Sequence, residues 1–449
     1  MEMYVDVELI SNNTYQNSTF TYQVPNKLKD KINVGSIVIV PFRNRDYKAI
    51  IVSTSNVSLI KNPKPLKKYL DLTLNSNQIK YLQQLAISYR LNTGILLYNF
   101  VDISTLKKQK VINKKQIKNI AINDFNDFDN KKNNVFYVPS LKIGKELYNY
   151  LSDYLHIDFY QRYGGKEEID LFKNNKLKNV ILLNTNFDKL IIDNNTNYYF
   201  YDSNNAAWKL PKLNNFNVVE AAYIKNKIFG GNFSFVNYFP NLEFHNEKVE
   251  LNNNFSYEIE YFYGNSIQDC IDLYTIKHKG EQKHFYSNNK LPGVQQLTFA
   301  EKLTEKDVKG LLIVNPTLLT NNILNSYKVI YLLSLLNYAQ KNNINIVVFS
   351  TSEIDVNKAL NSKSMTKWII KEQDTRLKFG PSLLNKVFTF NTSKKISVDN
   401  TEYIRGPIEL NDDFLYEINI DLNKSYDYLK IMKMFKNLKD YEISRARFI

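Results

Sequence analysis

Cysteine is almost absent from this chain. Cys270 is the single one in 449 residues, which excludes an internal disulfide framework and a CxxC zinc ribbon, because both need cysteines in pairs. The four histidines are scattered. Only His278 and His284 fall near Cys270, a solvated grouping to which no metal is assigned. Glycine is scarce as well, at 13 residues, and none lies between Gly94 and Gly144. Nowhere do apolar residues run uninterrupted for the roughly 18–20 positions of a membrane span. The opening MEMYVDVELI lacks a basic region followed by an apolar run. These absences lead to the expectation of a soluble, cytoplasmic protein.

What is abundant is positive charge and a globular share of apolar residues. The formal charge is +14 and 43% of residues are hydrophobic. A surface of that sign attracts polyanions, because Lys and Arg contacts to phosphates release condensed counterions. Nucleic acid is thus the first partner to test, although the joint excess of Lys, Asn, Ile, Tyr and Phe also reflects an AT-rich codon bias. The length allows about three domains at roughly 100–200 residues each.

Periodicity divides the chain. From Tyr4 to Ser53 short β-branched and aromatic runs alternate, with Phe20, Tyr22 and Val24 on one face and Pro25, Gly35 and Pro41 as punctuation. This spacing predicts a small antiparallel sheet or barrel. Ile79, Leu82, Leu85 and Ala86 then recur at helical spacing, with Asn75 or Ser76 as cap. Residues 1–103 form the first expected domain, and 104–134 a basic, polar linker carrying Lys107, Lys108, Lys110, Lys114, Lys115 and Lys118. From Val135 strands and helices alternate, which predicts a parallel α/β sheet across 135–245. In that reading LIID at 190–193 is a strand that delivers Asp193 at its carboxyl end. A less regular α/β stretch covers 246–364 and an α+β domain covers 365–449. The expected fold class is multidomain α/β.

The first domain carries a resemblance. In order along the chain, Phe20, Tyr22, Pro25, Gly35, Val38, Val40, Pro41, Phe42, Leu66, Lys67, Tyr89 and Gly94 match the motifs of the N-terminal DNA-binding domain of the primosomal protein N′ (PriA) family. More weakly, VFYVPSLKIGKEL, KLIIDNNTNYYFY and FSFVNYFPNLEF are similar to segments of that family's superfamily 2 helicase motor, and TKWIIKEQDTRLKFG and IRGP to its final segments. The resemblance implies two RecA-like lobes behind the DNA-binding domain, ATP and Mg²⁺ as cofactors, structural zinc, and a role in replication restart, DNA repair and recombination. Its implied partners are forked or single-stranded DNA, other replication-restart proteins and single-strand-binding protein.

The departures fall on the chemistry. A GxxxxGK[ST] loop, whose amides cradle phosphates while Lys reaches the β and γ groups, is missing ahead of VFYVPS. Asn194, Asn195 and Thr196 follow Asp193 where carboxylates and a His are expected, so Asp193 marks a vestigial nucleotide site. Phe239 replaces the Thr of the coupling motif before Pro240, and Ala339 and Asn342 stand at arginine positions. The cysteines for zinc are gone too, so no cofactor and no catalytic residue is assigned.

What the resemblance leaves is a DNA site in the first domain. Phe20 and Tyr22 are candidate stacking faces. Lys67, Arg43, Arg45, Lys48 and Lys68 are candidate phosphate contacts, and Thr21 is a hydroxyl donor in place of the family's Asp. Arg43 stands where the family has a small Gly. The leading expectation is a primosomal DNA-binding factor, a pseudoenzyme without ATP-driven unwinding. A diverged but active ATP-dependent 3′-5′ helicase and a protein-interaction scaffold remain as alternatives.

Overall fold

A computed structural model describes residues 2–12, 19–58, 60–113, 115–121, 131–153, 157–159, 166–174, 178–237, 259–278, 285–287, 310–314, 336, 339, 343–350, 384–395, 402–410, 413–438 and 441–446. Phe239, Pro240, Asn342, Lys114, His284 and the helix expected near 365–380 lie outside them.

Alternating apolar residues build the first unit. Strands β1 (Tyr4–Leu9), β2 (Phe20–Gln23), β3 (Ser36–Phe42), β4 (Arg45–Ser55) and β5 (Lys68–Thr73) form an antiparallel sheet ordered β2-β1-β4-β3-β5. One face gathers Val5, Val7, Tyr22, Val24, Val38, Val40, Ala49 and Ile51 into a core. The two edges meet: Gln23 N–H donates to Lys64 O and Leu66 N–H to Gln23 O, each at 3.0 Å. The sheet therefore curls into a small barrel, with that core inside. Ile37, Ile50 and Val52 face outward and pack with the helices.

Helices α1 (Ser76–Tyr89), α2 (Thr93–Asn99) and α3 (Ile103–Lys108) follow. Asn75 caps α1 in a reciprocal box with Gln78. A Cβ on Gly94 would lie 2.1 Å from Leu9 O, so only glycine lets α2 lie this close to β1.

The lysine-rich stretch expected as linker corrects the sequence reading. It holds α3 and a strand, β6 (Lys115–Ala121), paired in parallel with β13 (Gly231–Asn237) at the edge of the next sheet. Lysines on a sheet edge blunt unwanted pairing, and the same charges hid the strand in the sequence.

That sheet is parallel throughout. Its other members are β7 (Asn133–Val138), β8 (Asp158–Phe159), β9 (Asn179–Leu183) and β10 (Thr196–Tyr201), in the order β6-β13-β10-β7-β9-β8. Helices α4 (Leu141–Leu151), α5 (Lys166–Lys173) and α6 (Val218–Phe229) connect its strands. A short ladder of β11 (Lys209–Leu210) and β12 (Phe216–Asn217) precedes α6. A second parallel sheet joins β14 (Ile259–Tyr263), β15 (Phe285–Ser287), β16 (Gly310–Val314) and β17 (Asn345–Ser350), with α7 (Ile267–Lys277) against it and Cys270 buried in its small core. The last unit is an antiparallel sheet of β18 (Asn385–Thr392), β19 (Ile404–Leu410), β20 (Asp413–Asp421) and β21 (Ser444–Ala446), covered by α8 (Tyr428–Asn437).

Helix α1 is the shared strut. Its Tyr81 hydroxyl donates to Asp188 at 2.9 Å, and its Gln84 amide donates to Leu422 O at 2.9 Å. Tyr89 donates to Glu220, which also pairs with Lys386 of β18, and Asp188 pairs with Lys225. On the barrel, Glu8 accepts from Thr93 N–H at 2.7 Å and from the Tyr428 hydroxyl at 2.8 Å. Burial raises the Glu8 carboxyl above its ordinary value, against the lowering by these donors. Barrel, parallel sheet and C-terminal unit thus share one continuous core.

Candidate nucleic-acid interface

The hairpin joining β3 to β4 shapes one mouth of the barrel. Phe42 pairs with Arg45, leaving Arg43 and Asn44 as a two-residue turn with φ of 46° and 62°. Two left-handed residues fit the twist of the flanking strands, a conformation that Asn tolerates more readily than Arg. The turn carries Arg43 over the Phe42 ring at 5.6 Å. Phe42 packs on Phe20 with centroids 4.7 Å apart and on Tyr47 at 6.0 Å. These three rings are half-buried and the guanidinium groups of Arg43 and Arg45 are exposed beside them. The arrangement offers aromatic edges and faces next to exposed cations, which suits bases and phosphates together.

Tyr22 does not join them. It is only 4% exposed, inside the barrel, and its hydroxyl donates to Pro41 O at 3.0 Å. Burial raises its phenol above the ordinary value. Its ring is a pillar of the core with no face open to a base: Phe20 shares the same inward face of β2 but sits at the mouth, whereas Tyr22 lies one step deeper, where the closed barrel covers it.

Thr21 points to the outer face instead. There its hydroxyl donates to Asp6 Oδ1 at 2.6 Å, and Ser53 donates to Asp6 Oδ2 at 2.8 Å. Asp6 and Thr21 are direct partners in the β1–β2 register. A carboxylate is thereby present at the position where the sequence reading found only a hydroxyl. The sequence reading used Phe42 only as a motif match and did not bring Asp6 or Tyr47 to this part of the barrel, because a cross-strand neighbour is set by register, which no local motif encodes.

The remaining cations divide. Lys48 and Lys68 both stand opposite Ile39, flanking it on neighbouring strands, and both are exposed. Lys67 pairs with Asp46 at 2.6 Å, with side chains 53% and 48% exposed. An ion pair that open costs little to break. Lys107, Lys108, Lys110, Lys115 and Lys118 are exposed along α3 and β6, and Lys115 donates to Lys227 O at 2.7 Å.

The nucleotide-site reading needs a larger correction. Asp193 precedes β10, at the amino edge of the parallel sheet. It is exposed and accepts from Asn195 N–H at 2.8 Å and the Thr196 hydroxyl at 3.1 Å, a local turn into the strand. The strand is the aromatic TNYYFY, not LIID, whose Leu190 and Ile192 are buried without strand structure. The carboxylate at the carboxyl end of β10 is Asp202.

Carboxyl ends of parallel strands are where such sheets hold ligands, at the point where connections diverge, here between β10 and β7. In this chain residues 202–208 fill that place. Asn184 at the end of β9 donates to Ala207 O at 2.7 Å and Pro139 O at 3.3 Å. Asn237 at the end of β13 accepts from the Ser203 hydroxyl at 2.8 Å and Asn204 N–H at 3.0 Å. Trp208, fully buried, donates to Asp202 O at 2.8 Å. The Asp202 carboxyl accepts from Asn205 at 2.7 Å and is pushed up to about 6, mainly by burial, with Glu146 adding to the rise and Asn205 opposing it. An amide network with Trp208 beneath it does not fit a nucleotide phosphate and its Mg²⁺. Among the described residues no cluster of three His, Cys, Asp or Glu side chains is placed to hold a metal, and Ala339 is buried. No helix among them is long and apolar enough to cross a membrane.

Residues 5–101 match the family model of the PriA 3′ DNA-binding domain (3′BD). That span contains the barrel, α1 and α2, and it includes Asp6, Phe20, Thr21, Phe42, Arg43 and Tyr47. No curated protein matches the chain.

Proposed function

We propose that this protein binds DNA through the barrel of residues 5–101, as a primosomal factor in replication restart that engages single-stranded ends at forks. The observation that carries the reading is the match to a 3′ DNA-binding domain over the segment that presents the Phe20–Phe42–Tyr47 rings and the Arg43 and Arg45 cations. Stacking on rings is tolerant of sequence, and the cations supply the electrostatic part. The Asp6 carboxylate adds selectivity. It repels a phosphate and accepts from a hydroxyl, so a strand end with a free 3′-hydroxyl is favoured over a continuous backbone.

The protein acts by binding rather than by turnover. The missing phosphate loop and the filled carboxyl edge of the parallel sheet support this, as does Asp193 lying at the wrong edge for Mg²⁺. The parallel sheet then serves as a platform, fixed to the barrel through α1, from which replication partners and single-strand-binding protein can be met in the cytoplasm.

Anisotropy titrations of the full chain with fork, single-stranded and blunt duplex DNA across a salt series test the proposal. The fork and the free single strand are expected to bind more tightly at every salt concentration, with log–log slopes of about −0.7 to −0.9 per phosphate contact. Equal affinity for all three would instead favour the scaffold reading.

A further inference from the structure

At the end of β1 away from Phe20, the barrel carries a cavity of about 540 Å³. Tyr4 and Gln23, partners across the β1–β2 ladder, line it together with Glu2, Val57, Ile60 and Asn62. Its outer wall is the segment after β4. There Ser55 bonds the N–H and carbonyl of Val57 at 3.0 and 2.9 Å, and Ser58 bonds those of Ile60 at 3.1 and 2.8 Å. These turns hold two aliphatic side chains in solvent, Val57 at 72% and Ile60 at 49% exposure. Lys61 and Lys64 are exposed on the same segment.

We infer that this cavity is a second DNA subsite that receives one unstacked nucleobase. The inference rests on the DNA-binding reading above and goes beyond it, since the cavity is separate from the aromatic mouth. Gln23 lies three residues from Phe20 along β2, about 10 Å at strand spacing. The volume lies within the roughly 300–1,000 Å³ of small-molecule sites and admits a base with its sugar. The pocket is open and its surface is mostly polar, and the Tyr4 ring with Val57 and Ile60 supplies the apolar contact for one face of a base. The amides of Gln23 and Asn62 each carry donors and an acceptor, the mixture that base edges present. Glu2, which accepts from the Tyr4 hydroxyl, puts a carboxylate in the cavity. That charge keeps phosphate out and accepts from an exocyclic amino group. The phosphates on either side of the inserted base are left to Lys61 and Lys64.

The test uses the full chain and a single-stranded oligonucleotide with a 3′-hydroxyl, in which one abasic residue is moved stepwise from the end. Abasic substitution at one internal position is expected to weaken binding about ten-fold. That dependence should vanish in Tyr4→Ala and in the exposed pair Val57→Ser/Ile60→Ser, whose folding is not at risk, and should persist in Phe20→Ala. A flat abasic series, or a dependence that survives both cavity variants, would overturn the subsite while leaving DNA binding intact. Absence of binding to the unmodified oligonucleotide would overturn the DNA-binding reading itself, and the subsite with it.

Discussion

Thr21 and Asp6 face each other across the β1–β2 ladder, and the Thr21 hydroxyl donates to the Asp6 carboxylate at 2.6 Å. The pair returns a negative acceptor to the outer face of the barrel. If it reads a terminal hydroxyl, Asp6→Asn should reduce the preference for a 3′-hydroxyl over a 3′-phosphate about ten-fold, the scale of one charge-assisted hydrogen bond. Thr21→Ala should reduce it less. Competition between the two oligonucleotides measures the preference, and an unchanged ratio in Asp6→Asn removes Asp6 from the site.

The aromatic rings separate by role. Phe20→Ala or Phe42→Ala is expected to weaken single-strand binding about ten-fold, as loss of a stacking ring does. Tyr22→Phe should leave affinity unchanged and cost about 1 kcal/mol of stability, the buried bond to Pro41. Parallel binding and urea-unfolding curves on the three variants distinguish a contact from a pillar.

Much of the fold can be read from the sequence. Alternation from Tyr4 to Ser53 carries the strands, Asn75 announces α1, and the strand and helix rhythm after Val135 carries a parallel sheet. The failures share one cause, since each needed a long-range fact. Barrel closure at Gln23 and Leu66 put Tyr22 inside, and register put Asp6 beside Thr21. LIID and TNYYFY are both apolar, and only pairing with β7 and β13 selects the second as the strand, which moves the relevant carboxylate from Asp193 to Asp202. β6 was hidden because its lysines suit an edge.

Asp202 makes stability depend on pH. Its carboxyl ionises near 6 in the folded state against an ordinary 3.8, so the folded protein holds a proton that the unfolded chain has released. The stabilisation is complete below about pH 4 and is lost as pH rises through 6. The residue keeps part of its surface in solvent although its carboxyl is enclosed, which places the effect on the order of 1–2 kcal/mol, below the full conversion of the shift. Asp202→Asn should flatten the stability profile between pH 4 and 7 in urea melts.

Glu220 and Lys386 tie the parallel sheet to the C-terminal unit, with side chains 4% and 1% exposed. Removing one partner strands the other charge, so Glu220→Ala should cost about 3–5 kcal/mol. The double replacement Glu220→Met/Lys386→Met should recover most of that loss. Thermal unfolding of the single and double variants reads both.

ATP hydrolysis measured on the full chain with saturating fork DNA, in the same samples whose binding is followed by anisotropy, tests most directly whether the protein binds DNA without turning over nucleotide. Tight, salt-sensitive fork binding with hydrolysis no faster than the DNA-free background is the expected result. DNA-stimulated hydrolysis that disappears in Asp202→Ala would contradict it and restore a working motor.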